Sequence, residues 1–233
     1  WPPPQSRQVP LYLGPGGSLG PELPKRTGSL SFSFDPANPV PTIGGAIASG
    51  APVLQAGAFD QREREDLLAP TRPGRAIAER PDVLVFETGP LERAVEVAGR
   101  FEADLYVSSD APDTDITITL IDVHPPSSDY PNGYAMNLAH GILRLRFREG
   151  FEAARLLNPH EIYRIRVEGY PTANRFMPGH RIRVHVSSSN FPPFDVNPNT
   201  GAPACEPSTP RPARNTIYFG PEHASHIVLD LID

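Results

Sequence analysis

The groups in this 233-residue chain that could hold a metal or move a proton are seven histidines, 27 carboxylates and one cysteine. The histidines, at positions 124, 140, 160, 180, 185, 223 and 226, show no His-Glu-x-x-His or other dense ligand spacing, so no metal site is expected. His223 and His226 flank a turn leading into a strand, where their side chains diverge. Acyl transfer by serine needs a hydroxyl, a base and an oxyanion hole. The strand-turn-helix signature G-x-S-x-G is absent. Ser187, Ser188 and Ser189, followed by Asn190 and Phe191, read as a hydrogen-bonded loop after a strand. No catalytic residue is expected within the chain. GPGG at 14–17 lacks the lysine and helix of a phosphate loop and reads as a turn, so no cofactor is expected either. DAPDTD, at 110–115, allows two readings. Its carboxylates could contribute to a calcium cage with Asp122 or Asp129 from across a sheet. Alternatively, Asp113 and Asp115 accept backbone N–H bonds and fix the start of the following strand.

Composition restricts what positions these groups. Thirty prolines and 19 glycines leave little room for long helices, because proline removes a donor and clashes with the preceding turn. Short helical turns are conceivable only around residues 60–69 and 150–157. A basic total of 21 against 27 acidic residues, net −6, argues against a nucleic-acid surface. No apolar run approaches 18 residues, so no membrane-spanning segment is expected. Cys205 has no second cysteine to pair with. The start, WPPPQSRQVP, carries neither an initiator Met nor a signal-peptide pattern and reads as a piece of something longer. Localisation stays open between cytoplasmic and secreted, and the oligomeric state is equally open.

Period-two alternation marks the strands. It appears at 101–107, 115–123, 142–148, 161–167, 180–186, 215–219 and 226–232, with earlier candidates at 9–13, 29–34, 83–87 and 94–97. The stretches between them punctuate structure instead of extending helices, which rules out parallel crossovers. The expected fold is all-β, an antiparallel jelly-roll sandwich of about ten strands forming one domain over residues 1–233. Its core should include Leu105, Val107, Ile116, Ile118, Leu120, Leu143, Leu145, Phe147, Ile165, Val167, Ile182, Val184 and Val186. Opposite them stand Arg144, Arg146, Arg148, Arg164, Arg166, Arg181 and Arg183. That row is either a solvated face paired with acids such as Glu102 and Asp104, or a face docked on another domain.

Several long segments carry a family resemblance: SFDPANPVPTIGG (33–45), DVLVFETGPL (82–91), residues 108–148, NRFMPGHRIRVHVSSSNFPPFDVNPNTG (174–201) and NTIYFGPEHASHIVL (215–229). Together they resemble the C-terminal domain of the X-Pro dipeptidyl-peptidase and cocaine-esterase-like (CocE/NonD) serine hydrolases. The resemblance implies a galactose-binding-like jelly roll that follows an α/β-hydrolase domain, its partner in the same parent chain. The catalytic triad lies in that preceding part, and residues 1–30 lead in from it. The chain alone would be inactive, while its parent would be an esterase, peptidase or acylase. The Pro39–Gly45 segment leads towards the active-site mouth and makes Ile47 and Ala48 rim candidates. Pro39, Thr42, Gly44, Gly45, Asp113, Asp115, Gly179, His180, Asn190, Phe191 and Phe194 are candidates for interdomain or structural loops. For Phe191 and Phe194, docking and folding back over the core are both open. The 63–81 segment is longer than the family usually has there. A free-standing carbohydrate-binding or protein-interaction module is the alternative. Its sugar platform would have to come from Tyr130, Tyr134, Phe191 and Phe194.

Overall fold

A computed structural model describes residues 1–50, 53–203 and 206–232. Twelve strands are present among them: β1 (Arg7–Leu13), β2 (Leu19–Gly20), β3 (Gly28–Phe34), β4 (Leu84–Glu87), β5 (Val95–Ser109) and β6 (Asp115–His124). They continue with β7 (Tyr134–Arg144), β8 (Tyr163–Glu168), β9 (Thr172–Phe176), β10 (Arg181–Ser187), β11 (Ala213–Phe219) and β12 (His226–Ile232). One sheet of eight strands runs β2-β1-β12-β5-β11-β3, with β8 and β9 also paired to β5; the second runs β4-β10-β6-β7. All strand pairs are antiparallel. The architecture is the expected all-β sandwich.

The alternating rows meet between the sheets. Phe101, Leu105, Val107, Ile165, Val167 and Ile217 of the larger sheet pack in one cluster with Phe86, Ile116, Ile118, Leu120, Val184 and Val186 of the smaller. Alternation then turns Thr117, Thr119 and His185 to the outer face of the smaller sheet. A narrow gap there is lined by these three together with Val40, Ile77 and Val83. These aliphatic residues, with Ile43, form a second apolar cluster within the long 35–83 connection. Its 63–82 stretch is pinned by charge: Glu63 accepts from Arg75 Nη2 at 2.6 Å and Arg80 Nη1 at 3.2 Å, and Arg80 grips Asp82 through two 2.8 Å bonds.

Four expectations need correction. Residues 94–97 and 101–107 belong to one 15-residue strand, β5, which pairs with β8, β9, β11 and β12 along its length. The 172–176 stretch, read as a connection, is strand β9. Its short length hides it, as do the polar Thr172 and Asn174 in the same row as buried Phe176. The strand expected at 142–148 ends at Arg144 and gives way to a 3-10 turn over Leu145–Phe147. Leu145 therefore enters the core, whereas Leu143 and Phe147 are only half-buried. No helix forms at 60–69 or 150–157; the other helical pieces among the described residues are 3-10 turns at Pro15–Gly17 and Ile77–Glu79.

Candidate functional site

The loop candidates gather at one end of the sandwich. Val40 N–H donates to Ser189 Oγ at 2.9 Å, Phe191 N–H to the Val40 carbonyl at 2.9 Å, and Thr42 N–H to the Phe191 carbonyl at 2.8 Å. The Thr42 hydroxyl donates to Asn190 Oδ1. Pro39, Thr42 and Asn190 are buried in this seam. Gly44 and Gly45 then turn the chain outward with φ of +74° and +111°. A Cβ on Gly44 would stand 2.3 Å from the Gly57 carbonyl oxygen, so only glycine fits. Gly45 and Gly57 pair through backbone bonds of 2.9 and 2.8 Å and close the base of an arm. Ile47 and Ala48 are exposed on that arm, Ile47 to 38%. Phe191 and Phe194 are half-buried, and the Phe194 ring meets His140 edge-on at 5.6 Å.

Asp113 and Asp115 sit beside this seam as part of a buried charged network. Asp113 accepts Arg146 N–H at 2.9 Å and Arg146 Nε at 2.8 Å. Asp115 binds Arg144 in bidentate fashion at 2.9 and 3.0 Å, and Asn197 Nδ2 bridges both carboxylates at 2.8 Å each. Asp115 raises the Arg144 pKa further above the ordinary arginine value, against the opposing effect of burial. Asp122 stands seven residues along β6, about 23 Å at the rise of a strand, so it cannot complete a cage with DAPDTD. The arginine row divides. Arg144 and Arg146 turn inward, while Arg164 and Arg166 lie exposed, 3.6 Å from Asp104 and 2.8 Å from Glu102.

Gly179 and His180 lie apart from the other candidates, at the opposite end of β10, roughly 20 Å away along the strand. Gly179 has φ of +83°, a left-handed conformation just ahead of the strand. His180 Nδ1 is 2.8 Å from Asp122 Oδ1, and the other carboxylate oxygen accepts Asn174 Nδ2 at 3.0 Å. His124 stacks on His180 with ring centres 4.2 Å apart, its Nε2 3.5 Å from Asp122 Oδ2. Burial, opposed by Asp122 and reinforced by His180, holds the His124 pKa below the usual histidine value. Spacing along the chain gives no sign of this group; the β6–β10 pairing, with Ile182 opposite Asp122, creates it. Beside it opens a cleft of about 510 Å³, lined in part by Glu87, His124, Tyr134, Arg181, Arg183 and His185. Tyr130 and Tyr134 stand at a 45° tilt near its rim and form no flat platform. His185 is buried, and that burial, with Arg183 nearby, pushes its pKa down to about 3.

The X-Pro dipeptidyl-peptidase C-terminal non-catalytic domain family matches residues 1–228. The chain belongs to that family. Over its full length this family member is 39% identical to a cocaine esterase of Rhodococcus sp. (strain MB1 Bresler), of which it spans 39%. It superposes with TM-score 0.81 and 30% identity on an aminopeptidase from a marine sediment Thaumarchaeota archaeon, covering 100% of this chain and 38% of that one. A TM-score of 0.80 at 31% identity relates it to an α-amino acid ester hydrolase, covering 96% of this chain and 36% of that one. The chain thus spans well under half the length of these relatives. Its family identifies it as the non-catalytic C-terminal type of domain, and such domains occur here within larger hydrolases.

Proposed function

We propose that this domain serves a serine hydrolase by docking on an α/β-hydrolase catalytic domain of the same parent chain and shaping its active-site mouth. The arm closed by Gly45 and Gly57 carries the reading. Its base is fixed by the Pro39–Thr42 and Ser189–Phe191 seam, while its apolar Ile47 has no place in either internal cluster. An exposed aliphatic held on a rigid base is suited to a binding contact at low entropic cost. A second apolar surface supports docking: Val9 and Leu11 of β1 line a cleft of about 290 Å³ with Leu19, Leu91, Leu229 and Leu231. Residues 1–30 would lead in from the catalytic domain, and the triad would lie outside this chain. Ester or amide cleavage by an acyl-enzyme route follows for the parent. The coding sequence ahead of Trp1 tests this directly. A G-x-S-x-G followed by Asp and His supports the reading, and its absence rejects it. Stoichiometric labelling of the 233-residue chain by a fluorophosphonate would also reject it.

A further inference from the structure

We infer that Asp122, His124 and His180 form a binding site for a borderline divalent cation of the zinc type. Their ligand atoms all lie within 4.8 Å of one another, although they come from the end of β6 and the turn before β10. In a tetrahedral site with bonds of 2.0–2.1 Å, neighbouring donors stand about 3.3 Å apart. The 2.8 Å between His180 Nδ1 and Asp122 Oδ1 and the 3.5 Å between His124 Nε2 and Asp122 Oδ2 bracket that value. A cation would therefore replace the existing His180–Asp122 contact with metal bonds after small shifts. His124 Nε2 is shielded from solvent yet has no hydrogen-bond partner, so a donor atom is already available. Asn174, donating to Asp122 at 3.0 Å, supplies the outer hydrogen bond that orients a carboxylate ligand.

The donor set selects the metal class. Two imidazoles and one carboxylate suit zinc or its first-row neighbours, whereas calcium and magnesium require mostly oxygen ligands. Three protein ligands leave a fourth position, and His124 also lines the 510 Å³ cleft through which water or a small ligand would reach it.

The test begins with chelator-treated 233-residue chain, titrated with Zn²⁺ against a chromophoric chelator, and separately with Co²⁺ followed by absorption. One equivalent should bind, and Co²⁺ should give the intense visible bands of a tetrahedral site. His124→Gln and His180→Gln should each weaken Zn²⁺ binding by at least about 100-fold, and Asn174→Ala by about 10–100-fold. Absence of stoichiometric binding would overturn the inference, leaving a His180–Asp122 hydrogen bond with His124 stacked beside it. Undiminished affinity in His124→Gln would overturn it equally. His124 is partly exposed at a strand end, so that variant decides the matter even if His180→Gln fails to fold.

Discussion

Arg146 reaches back 33 residues to Asp113, donating both its backbone N–H and its guanidinium to the two oxygens of one carboxylate. The relationship depends on β7 ending at Arg144: the 3-10 turn that follows rotates Arg146 off the solvent face and into the space beneath DAPDTD. Its Nη1 also donates to the Ala202 carbonyl at 2.9 Å, tying that part of the connection after β10 to the sandwich. Asp113 is fully buried. Removing either partner strands the other charge away from water. Asp113→Ala or Arg146→Met should each cost about 3–5 kcal/mol in urea melts, and the double variant should lose clearly less than their sum. Additive losses would show that the two residues act independently.

The core can be tested at two nearby leucines. Leu120 is fully buried between the sheets, so Leu120→Ala should cost about 2–5 kcal/mol through lost contacts and the cavity left behind. Leu143 is half-buried on β7, so Leu143→Ala should cost distinctly less. Equal shifts in denaturant midpoint would contradict the placement of these residues.

These contrasts show what was legible in the sequence. Period-two runs located β6, β10, β11 and β12 because each sends an apolar row into the core while the opposite row holds more polar residues such as Thr117, Arg183, Thr216 and His226. Alternation failed at residues 145–148, where a polar–apolar rhythm continues through a change from strand to 3-10 turn. Composition cannot distinguish the two, and the buried partner Asp113 lies far away in sequence. The Asp122–His124–His180 group was hidden for a related reason. His180 stood out individually, but its neighbours are set by strand register, which a single sequence does not reveal.

Glycine effects should separate by what surrounds each residue. At Gly179 a Cβ would meet only Pro125 Cγ at 3.9 Å, so the penalty of Gly179→Ala is the positive φ alone, about 1–2 kcal/mol. At Gly44 the same φ class is joined by a backbone oxygen 2.3 Å from the new atom. Gly44→Ala should therefore cost more and loosen the arm. Thermal melts of the two variants give the order, and a reversed order would refute it.

His185 makes stability depend on pH. Its pKa is about 3 in the folded protein, whereas the unfolded chain titrates near the ordinary histidine value of 6.5. Between these values the unfolded state binds more protons, so stability falls as pH drops through that window and is fully present above it. The contribution is a loss of about 2 kcal/mol between pH 7 and pH 5. His185→Leu should flatten this part of the stability profile. Burial similarly lowers the pKa of His140, so a smaller residual slope of the same sign should remain.

The docking proposal makes Ile47 and Phe194 unequal probes. Ile47 is exposed on the arm and contributes to neither apolar cluster. Ile47→Asp should leave the melting midpoint of the 233-residue chain within the range of about 0.5 kcal/mol usual for surface changes. In the longer parent protein it should impair turnover or expose the interdomain region to proteolysis, because a charge would be placed against an apolar contact. Phe194 differs. Its half-buried ring packs edge-on against His140, so Phe194→Asp should destabilise the isolated chain as well as the parent. Parallel melts, kinetics and limited proteolysis on both proteins separate the roles. Unchanged kinetics and proteolysis for parent Ile47→Asp would remove the arm from the interface. An equal loss of stability in both proteins would make Ile47 a fold residue instead.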